Sequence, residues 1–442
     1  MEQKILLLQI AGLGYNFLRN NLDDQRLYDL DIKPMQGVFP GLTCVVQATM
    51  RTASLPAQHG IVGNGFFFKD QWKPLFWEQS VRLIQRPLIW ENFRSHGGRV
   101  AQMFIQQSLG PGSDVFLSPA PIHKHRGGII MNCISEPSHI SVRLEKELKG
   151  TFPLHHYWGP FASRRSSRWI VKAIMNVMEN ERPDLLYAYL PHLDYALQRY
   201  GPDSTVSKKA FVEVYSLVGE LLRAAQKEKY RVILFGDYPV TPANTVVFPN
   251  IVLKKAGLLK TRSVQGMQYP DFYTSAAFSV VDHQVAHVYV FNQNLIEEVR
   301  SLLGKMPHVD TILDGATKAE AGVDHTRSGE LILVAKQGAW FDYRWWTEVK
   351  EAPEYAFHVD IHNKPGYDPC ELFWGWPPFI SQNPSRIKGT HGRVDENEPI
   401  FYVSDRELPG NPVTLMDLSL SIKSLLDVRV NLEEKLHPLP CE

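Results

Sequence analysis

The sequence has few cysteines and no surplus of charge of either sign. Its four cysteines among 442 residues, Cys44, Cys133, Cys370 and Cys441, show no CxxC spacing, which excludes a zinc ribbon and gives no sign of a disulfide framework. Lys and Arg together number 47, as do Asp and Glu, and the cations form no run. This balance argues against nucleic acid or an acidic membrane surface as a partner. We expect a protein of a reducing compartment.

Long apolar runs are also missing. No run reaches the ~20 residues that a membrane helix requires, because charged residues, Pro or Gly interrupt each candidate. The segment from Ile5 to Gly14 contains Gln9 and has no basic region or small-residue cleavage site, so we interpret it as a buried strand and not as a targeting signal. We expect a soluble, cytoplasmic protein without a membrane partner.

Short apolar runs alternate with longer amphipathic stretches, which predicts an α/β fold with a mostly parallel sheet covered by helices. The predicted strands are Lys4–Ile10, Asp184–Leu190 and Arg231–Phe235. Helices are expected over Ser167–Glu179, beginning at a Ser cap, and over Ser207–Lys229, where apolar residues recur on one face. The second helix and the strands on either side of it form a β-helix-β unit.

The pattern changes from about residue 246, where short elements alternate more closely. The predicted elements are a helix over Asn250–Leu259, a strand over Val285–Phe291, a helix over Asn294–Lys305 and a strand over Gly329–Ala335. We therefore expect residues 250–334 to form a small α+β cap insert, and residues 1–249 and 335–442 to form the core. The last third is rich in Trp, Pro, Gly and Asn, which favours long loops of the kind that often build sites.

Polar residues follow the predicted strands, where open α/β sheets place their ligands. Thr43 is either an activated hydroxyl at a helix N-terminus or a plain helix cap. His192 and Asp194 suit a metal or acid–base chemistry, although Asp194 could equally cap the next helix. Asp237, directly after a hydrophobic strand, has the same two interpretations.

Two further clusters lie in the loop-rich region, Asp360 with His362 and the segment Gly389–Gly392 with His391. A lone His is more often a hydrogen-bonded structural residue than a ligand, so neither imidazole defines a site alone. Together with the strand-end carboxylates they match the way divalent-metal hydrolases assemble oxygen and imidazole ligands from several strand ends.

The block FPGLTCVVQATMRTASLPAQHGIVGN, from Phe39 to Asn64, resembles the nucleophile loop of the alkaline phosphatase superfamily, in its type I phosphodiesterase/nucleotide pyrophosphatase branch. The resemblance covers most of the chain. It implies an alkaline-phosphatase-like fold with Thr43 as nucleophile and Asn64 at the substrate. The blocks YLPHLDYALQRYGPDS, RVILFGDYPVTP and GTHG are similar to the metal-binding segments of the branch, which makes Asp194, Asp237 and His391 metal ligands.

The chain also departs from the branch at ligand positions. Ala11 stands where the branch has an Asp before the glycine after the first strand, and Gln198 and Tyr238 each stand where it has a His. Val46 replaces an Asn that helps to hold phosphoryl oxygens. Gln198 and Tyr238 are neutral and could coordinate only weakly, so two neighbouring divalent ions would meet little negative charge. The departures argue against a full two-zinc site.

The blocks Val281–His287 and Asp360–Asp368 resemble a bacterial subgroup of the branch in which the same replacements are common. This resemblance implies replacement ligands from elsewhere in the chain, and the candidates are His192, His283, Asp360 and His362. A single ion, with a cation such as Arg199 or the substrate-binding candidate Lys364 in place of the second, is a coherent variant.

Two functions follow from this resemblance. The first is a phosphoester hydrolase that uses Thr43 and one or two divalent ions, zinc above all, on a phosphorylated small molecule. The second is a catalytically silent scaffold of the same fold that binds a phosphorylated small molecule or a protein partner. The aromatic runs Phe341–Trp346 and Phe373–Trp376 suit an apolar substrate pocket or an interface, and equally a large core.

Overall fold

The computed structural model describes residues 4–24, 26–124 and 128–436, so Cys441 lies outside the described residues. The strands are β1 (Lys4–Ile10), β2 (Arg26–Leu27), β3 (Leu30–Asp31), β4 (Lys33–Met35), β5 (Gly65–Phe68), β6 (Lys73–Phe76), β7 (Val100–Met103), β8 (Val115–Pro119), β9 (Ile122–His123), β10 (Ile129–Ile130), β11 (Cys133–Glu136), β12 (Leu185–Leu190), β13 (Tyr230–Gly236), β14 (Thr241–Pro242), β15 (Thr245–Val247), β16 (Thr261–Val264), β17 (Met267–Pro270), β18 (Ala277–Asp282), β19 (Val285–Val290), β20 (Val309–Leu313), β21 (Leu331–Ala335), β22 (Ala339–Phe341), β23 (Gly389–Thr390) and β24 (Ile400–Ser404). The helices are α1 (Tyr15–Asn20), α2 (Thr43–Thr52), α3 (Pro56–His59), α4 (Glu91–Ser95), α5 (His139–Glu147), α6 (Arg164–Asn180), α7 (His192–Tyr200), α8 (Thr205–Lys227), α9 (Pro249–Lys255), α10 (Ile296–Gly304), α11 (Gly315–Glu320) and α12 (Leu415–Leu436).

The main sheet has eight strands in the order β11-β8-β7-β12-β1-β13-β24-β4. The five strands from β8 to β13 in that order run parallel, while β11 joins one side and β24 and β4 join the other as antiparallel neighbours. In β1, every residue after Lys4 is buried, as expected of a strand with both faces covered. The prediction of an α/β fold with a mostly parallel central sheet is confirmed.

Two helices begin earlier than the sequence pattern predicts. α6 begins at Arg164, and Ser167 lies buried inside it, so the prediction that Ser167 caps the helix is wrong. Arg164 and Arg165 are good helix formers and extend the helix back to Ser163. α8 begins at Thr205, because the side chain of Ser204 accepts a hydrogen bond from the backbone N–H of Ser207 at 3.1 Å and caps the helix there.

A second, antiparallel sheet has four strands in the order β18-β19-β21-β20. Most of its buried apolar side chains form one cluster with Phe66 and Phe67 of β5 and with Trp345, so segments on both sides of residues 250–334 pack against it. The boundaries of the cap insert at residues 250 and 334 stay a prediction. The turn between β18 and β19 reaches the segment after β23, where the backbone N–H of Gln284 donates to the carbonyl oxygen of His391 at 3.0 Å.

Within residues 4–24, 26–124 and 128–436, no helix combines the length and the apolar composition that crossing a membrane would require.

Candidate active site

The site lies where β12, β1 and β13, three neighbouring parallel strands, end. The turn after β1 passes very close to the adjacent segments. Gly12 has φ of +70°, and a Cβ there would lie 3.1 Å from the Cα of Asp194. A Cβ on Gly236 would lie 1.8 Å from the carbonyl oxygen of Leu13. The two glycines therefore allow the strand ends to converge.

Thr43 is the first residue of α2, and Leu42 is the N-cap residue. The side chain of Thr43 is therefore not the helix cap. Its hydroxyl lies 3.0 Å from the hydroxyl of Tyr238, and the residue is only 5% exposed. The N-terminus of α2 places the positive end of the helix dipole beside this hydroxyl. The position suits a group that meets a phosphoryl anion, and the role of nucleophile stays a prediction.

Asp194 lies in the first turn of α7 and is buried. Its Oδ2 accepts a hydrogen bond from Nε2 of Gln198 at 2.7 Å, and Oε1 of Gln198 accepts one from the hydroxyl of Tyr367 at 2.6 Å. Burial raises the pKa of Asp194 to about 7, and the hydrogen bond from Gln198 opposes the shift. Asp194 is not the cap of α7, because Pro191 holds that position.

His391 follows β23 and faces Asp194. Its Nδ1 lies 2.8 Å from the carbonyl oxygen of Gly41, and because a carbonyl only accepts, Nδ1 carries the proton. Its Nε2 lies 3.9 Å from Oδ1 of Asp194, an oxygen with no hydrogen-bond partner among the described residues. Burial, together with the neighbouring His283, holds the pKa of His391 well below its usual value. A neutral imidazole oriented by a carbonyl is the usual form of a metal-binding His.

Asp237 has both carboxylate oxygens occupied by donors from the chain. Oδ2 accepts from Nε2 of Gln9 at 2.9 Å, and Oδ1 accepts from the backbone N–H groups of Gly12 and Tyr238, each at 2.8 Å. Burial raises the pKa of Asp237 well above its usual value. Asp237 therefore joins the ends of β1 and β13 and caps no helix.

Four rings stack in one column beside Thr43. Tyr238 lies on His391 with centroids 3.8 Å apart, His391 lies 3.7 Å from His283, and His283 lies 3.7 Å from Tyr367. Nδ1 of His283 is 2.8 Å from Oδ1 of Asp282, and its Nε2 has no hydrogen-bond partner among the described residues. The column runs from Tyr238, which contacts Thr43, to Tyr367, which donates to Gln198.

Asn64 connects α2 to the turn between β18 and β19. Its Oδ1 accepts from the backbone N–H of Cys44 at 3.0 Å, while its own backbone N–H and Nδ2 donate to Asp282 at 2.8 and 3.1 Å. Burial raises the pKa of Asp282 to about 6, and the Asn64 hydrogen bonds oppose the shift. The sequence interpretation assigned no role to Asp282; the signal that could have found it is an Asp-His pair at the end of an apolar run.

The other site residues predicted from the sequence make contacts with other parts of the chain. His192 is 3.0 Å from Glu213 of α8, and Asp360 accepts hydrogen bonds from Asn363. The buried ammonium of Lys364 donates to the carbonyl oxygen of His358 at 2.9 Å, to Asp368 at 2.8 Å and to Glu371 at 2.6 Å. The guanidinium of Arg199 donates to the carbonyl oxygens of Gly159 and Ala162. His362 also has a partner. The structure thus brings together Thr43, Asn64, Asp194, Gln198, Asp237, Tyr238, His391 and, of the predicted replacement ligands, His283.

The site has two halves, one formed by Asp194 and His391 and the other by Asp237 and Tyr238, and the two halves differ in how well they fit a metal ion. In the half formed by Asp194 and His391, Oδ1 of Asp194 has no hydrogen-bond partner among the described residues and lies 3.9 Å from Nε2 of His391, so this half can offer two ligands to a single divalent ion. Beside Asp237, the oxygens are already occupied and the Tyr238 ring lies on His391, so this half does not fit a second ion. Across the described ranges, no group of three or more His, Cys, Asp or Glu residues is arranged to hold a metal.

Comparisons with known proteins agree with this architecture. The family model described as type I phosphodiesterase / nucleotide pyrophosphatase matches residues 8–368. An uncharacterized pyrophosphatase/phosphodiesterase of Schizosaccharomyces pombe is 23% identical over 215 residues, which are 47% of this chain. The match spans 37% of the length of that relative.

Two solved structures share the fold over nearly the whole chain. Phosphonoacetate hydrolase from Sinorhizobium meliloti, in complex with phosphonoformate, has a TM-score of 0.62 at 16% identity, covering 96% of each chain. Murine ectonucleotide pyrophosphatase/phosphodiesterase 5, as an inactive variant in complex with AMP, has a TM-score of 0.61 at 15% identity, covering 96% of this chain and 95% of that one. The fold is therefore alkaline-phosphatase-like.

Proposed function

The chain belongs to the type I phosphodiesterase / nucleotide pyrophosphatase family, a family of phosphoester hydrolases, and we propose that it hydrolyses a phosphorylated small molecule with Thr43 as the nucleophile. The observation that carries the proposal is the position of the Thr43 hydroxyl at the N-terminus of α2, 3.0 Å from the hydroxyl of Tyr238. The Tyr238 ring stacks on His391, whose Nε2 lies 3.9 Å from Asp194. The ligands AMP and phosphonoformate in the related structures support a phosphorylated small molecule as the substrate class.

A threonine hydroxyl has a pKa far above neutral, so its alkoxide needs a nearby positive charge. Members of the family generally depend on divalent metal ions, and we propose one ion, zinc, with Asp194 and His391 as its ligands. Such an ion, when bound, supplies Lewis-acid stabilisation of negative charge on the phosphoryl oxygens and the nucleophile. Gln198 and Tyr367 hold the Asp194 carboxylate, and Gly41 holds the His391 ring, in the orientation that this role requires.

The residues of the chain around Thr43 have two further tasks in this proposal. The Tyr238 hydroxyl, 3.0 Å from Oγ1 of Thr43, orients the nucleophile through a hydrogen bond. The first turn of α2 presents backbone N–H groups that stabilise an anion through hydrogen bonds and the helix dipole. Asn64 fixes this turn, because it accepts from the backbone N–H of Cys44.

The hydrogen bonds that occupy both carboxylate oxygens of Asp237 favour a second candidate function. All donors around its carboxylate belong to the chain, and the ring column occupies the adjacent space. A protein built in this way could bind the phosphoryl group at the N-terminus of α2 without turning the substrate over. This candidate is the silent scaffold, and it predicts binding of AMP without hydrolysis.

The test compares wild type with Thr43→Ala, Thr43→Ser and the control Thr205→Ala, which changes an exposed threonine of α8. Hydrolysis of bis(4-nitrophenyl) phosphate and of an AMP phosphodiester is measured with added zinc or manganese, and binding of AMP is measured by calorimetry. We expect wild type and control to turn over, Thr43→Ser to retain part of the activity and Thr43→Ala to lose it. Equal turnover by Thr43→Ala would reject Thr43 as the nucleophile. Binding without turnover in the wild type would favour the scaffold.

A further inference from the structure

Residues 374–379, with the sequence Trp-Gly-Trp-Pro-Pro-Phe, form a surface loop in which every residue is exposed. We call this segment the aromatic loop. Trp376 is 84% exposed, Phe379 39% and Trp374 37%. Single exposed apolar side chains are ordinary, but six consecutive exposed residues without a charge are not.

The loop is a defined structure joined to a second exposed aromatic residue. The backbone N–H of Gly375 donates to the carbonyl oxygen of Phe379 at 3.1 Å. The backbone N–H of Phe379 in turn donates to the carbonyl oxygen of Trp376 at 2.9 Å. The ring of Phe161, 56% exposed, lies 5.2 Å from the ring of Trp374. Exposed aromatic rings from two distant parts of the chain therefore form one continuous surface.

Three cations lie next to this surface. One carboxylate also approaches it, because Glu354 pairs with His358 at 2.8 Å and the His358 ring centroid lies 5.6 Å from that of Phe379. Arg386 donates to the carbonyl oxygen of Trp374 at 2.6 Å, and Lys388 follows two residues later. Arg165 is 3.3 Å from Nε2 of His156, whose ring centroid lies 6.4 Å from that of Phe161. All three cations are exposed, and in the described part of the chain no carboxylate forms an ion pair with them. The surface thus combines aromatic rings with unpaired positive charge.

We propose that the aromatic loop and Phe161 bind the surface of an anionic phospholipid membrane, with Arg165, Arg386 and Lys388 contacting the lipid headgroups. Trp side chains favour the boundary between lipid headgroups and acyl chains, and cations flanking an apolar surface are attracted to anionic lipids. Pro377 and Pro378 have no backbone N–H, which lowers the cost of moving the tip of the loop out of water.

The expectation from the sequence was that no membrane surface is a partner, because the chain has no run of cations. The three cations come from two regions more than 200 residues apart, at positions 165, 386 and 388. The proposal is independent of the role of Thr43, since binding to vesicles is measured without any turnover.

The experiment is co-sedimentation of the full chain with vesicles of phosphatidylglycerol and phosphatidylcholine, compared with vesicles of phosphatidylcholine alone. We expect binding to the anionic vesicles, about tenfold weaker for Trp376→Ser because it removes the most exposed apolar ring. The control is Tyr273→Ser, which removes an aromatic residue that is 80% exposed in another segment. Arg165→Gln and Lys388→Gln should each weaken binding about fivefold, and added salt should weaken it further.

The proposal is overturned if the wild type binds neither kind of vesicle, or if Trp376→Ser binds as well as wild type. Equal binding to both kinds of vesicle would overturn the role of the cations. Concentration-dependent dimerisation without lipid, lost in Trp376→Ser, would make a second copy of the chain the occupant and would also overturn it. Because Trp376 is 84% exposed, its replacement leaves the fold intact, which circular dichroism checks.

Discussion

The hydroxyl of Tyr238 lies 3.0 Å from the hydroxyl of Thr43, and the Tyr238 ring stacks on His391 at 3.8 Å. The family resemblance implies a metal-binding histidine at the position of Tyr238. In this chain the same position supplies a hydrogen bond and a ring contact. The carboxylate of Asp237, the preceding residue, is likewise occupied by hydrogen bonds from the chain.

The contact between Tyr238 and Thr43 gives the first prediction. Tyr238→Phe removes the hydroxyl but keeps the ring on His391. If the hydroxyl orients Thr43, kcat falls about tenfold, the size of one lost hydrogen bond in the transition state, while KM stays the same. Steady-state kinetics measures both constants. Unchanged kcat in a folded Tyr238→Phe variant would contradict the orienting role.

Metal content distinguishes the two halves of the site. We expect the wild type, purified without chelator and loaded with zinc, to bind about one equivalent by plasma mass spectrometry. Asp194→Asn and His391→Ala should each abolish that equivalent, because each removes one of two facing ligands. Asp237→Asn is the matched control and should retain it, because the donors of the chain already occupy that carboxylate. Loss of metal in the control, or its retention in both other variants, would contradict the ligand assignment.

Introducing the ligands that the resemblance implies at positions 11 and 238 should create a site for a second ion. In the double variant Ala11→Asp with Tyr238→His, a carboxylate and an imidazole return to the side of Thr43 and Asp237. We expect zinc content to rise from about one to about two equivalents, because the added carboxylate supplies the missing negative charge. Each single variant serves as a control, and its zinc content should stay near one equivalent. A folded double variant with no additional zinc would show that another part of the site excludes the ion.

His59 gives a pH prediction away from the proposed ligands. Its Nδ1 accepts from the backbone N–H of Ile61 at 3.1 Å, and its Nε2 lies 3.1 Å from Oγ1 of Thr49. Burial, with the nearby Arg51, lowers the pKa of His59 from 6.5 to about 3. The unfolded chain therefore binds an extra proton at this residue below pH 6.5, and the stability that neutral His59 contributes is lost as pH falls from 6.5 toward 3.

The measurement for His59 is urea unfolding of wild type and His59→Gln between pH 7.5 and 4.5. The free-energy difference between the two proteins should be constant above about pH 7 and then decrease by up to ~1.4 kcal/mol per pH unit in acid. The acidic groups of the site are common to both proteins and cancel in the difference. A difference that is independent of pH would mean that His59 is protonated in the folded protein as readily as in the unfolded one.

The central strands and the polar residues at their ends can be predicted from the sequence. Strands β1, β12 and β13 are short apolar runs next to turns, a local pattern that burial on both faces of a parallel sheet imposes. The same pattern, with the family resemblance, identified the fold and indicated Thr43, Asp194 and Asp237 as neighbours. Location in the cytoplasm and the limits of the cap insert stay predictions.

Which of these residues keep a free side chain depends on the packing of distant segments. Asp237 is occupied by Gln9 from another strand, and the ring of His283 reaches His391 from more than 100 residues away. Lys364 looked available in the sequence and is held by Asp368 and Glu371. Hydrophobic periodicity reports on one segment at a time, whereas a hydrogen bond or a ring contact depends on how distant segments pack, and packing is a property of the whole core.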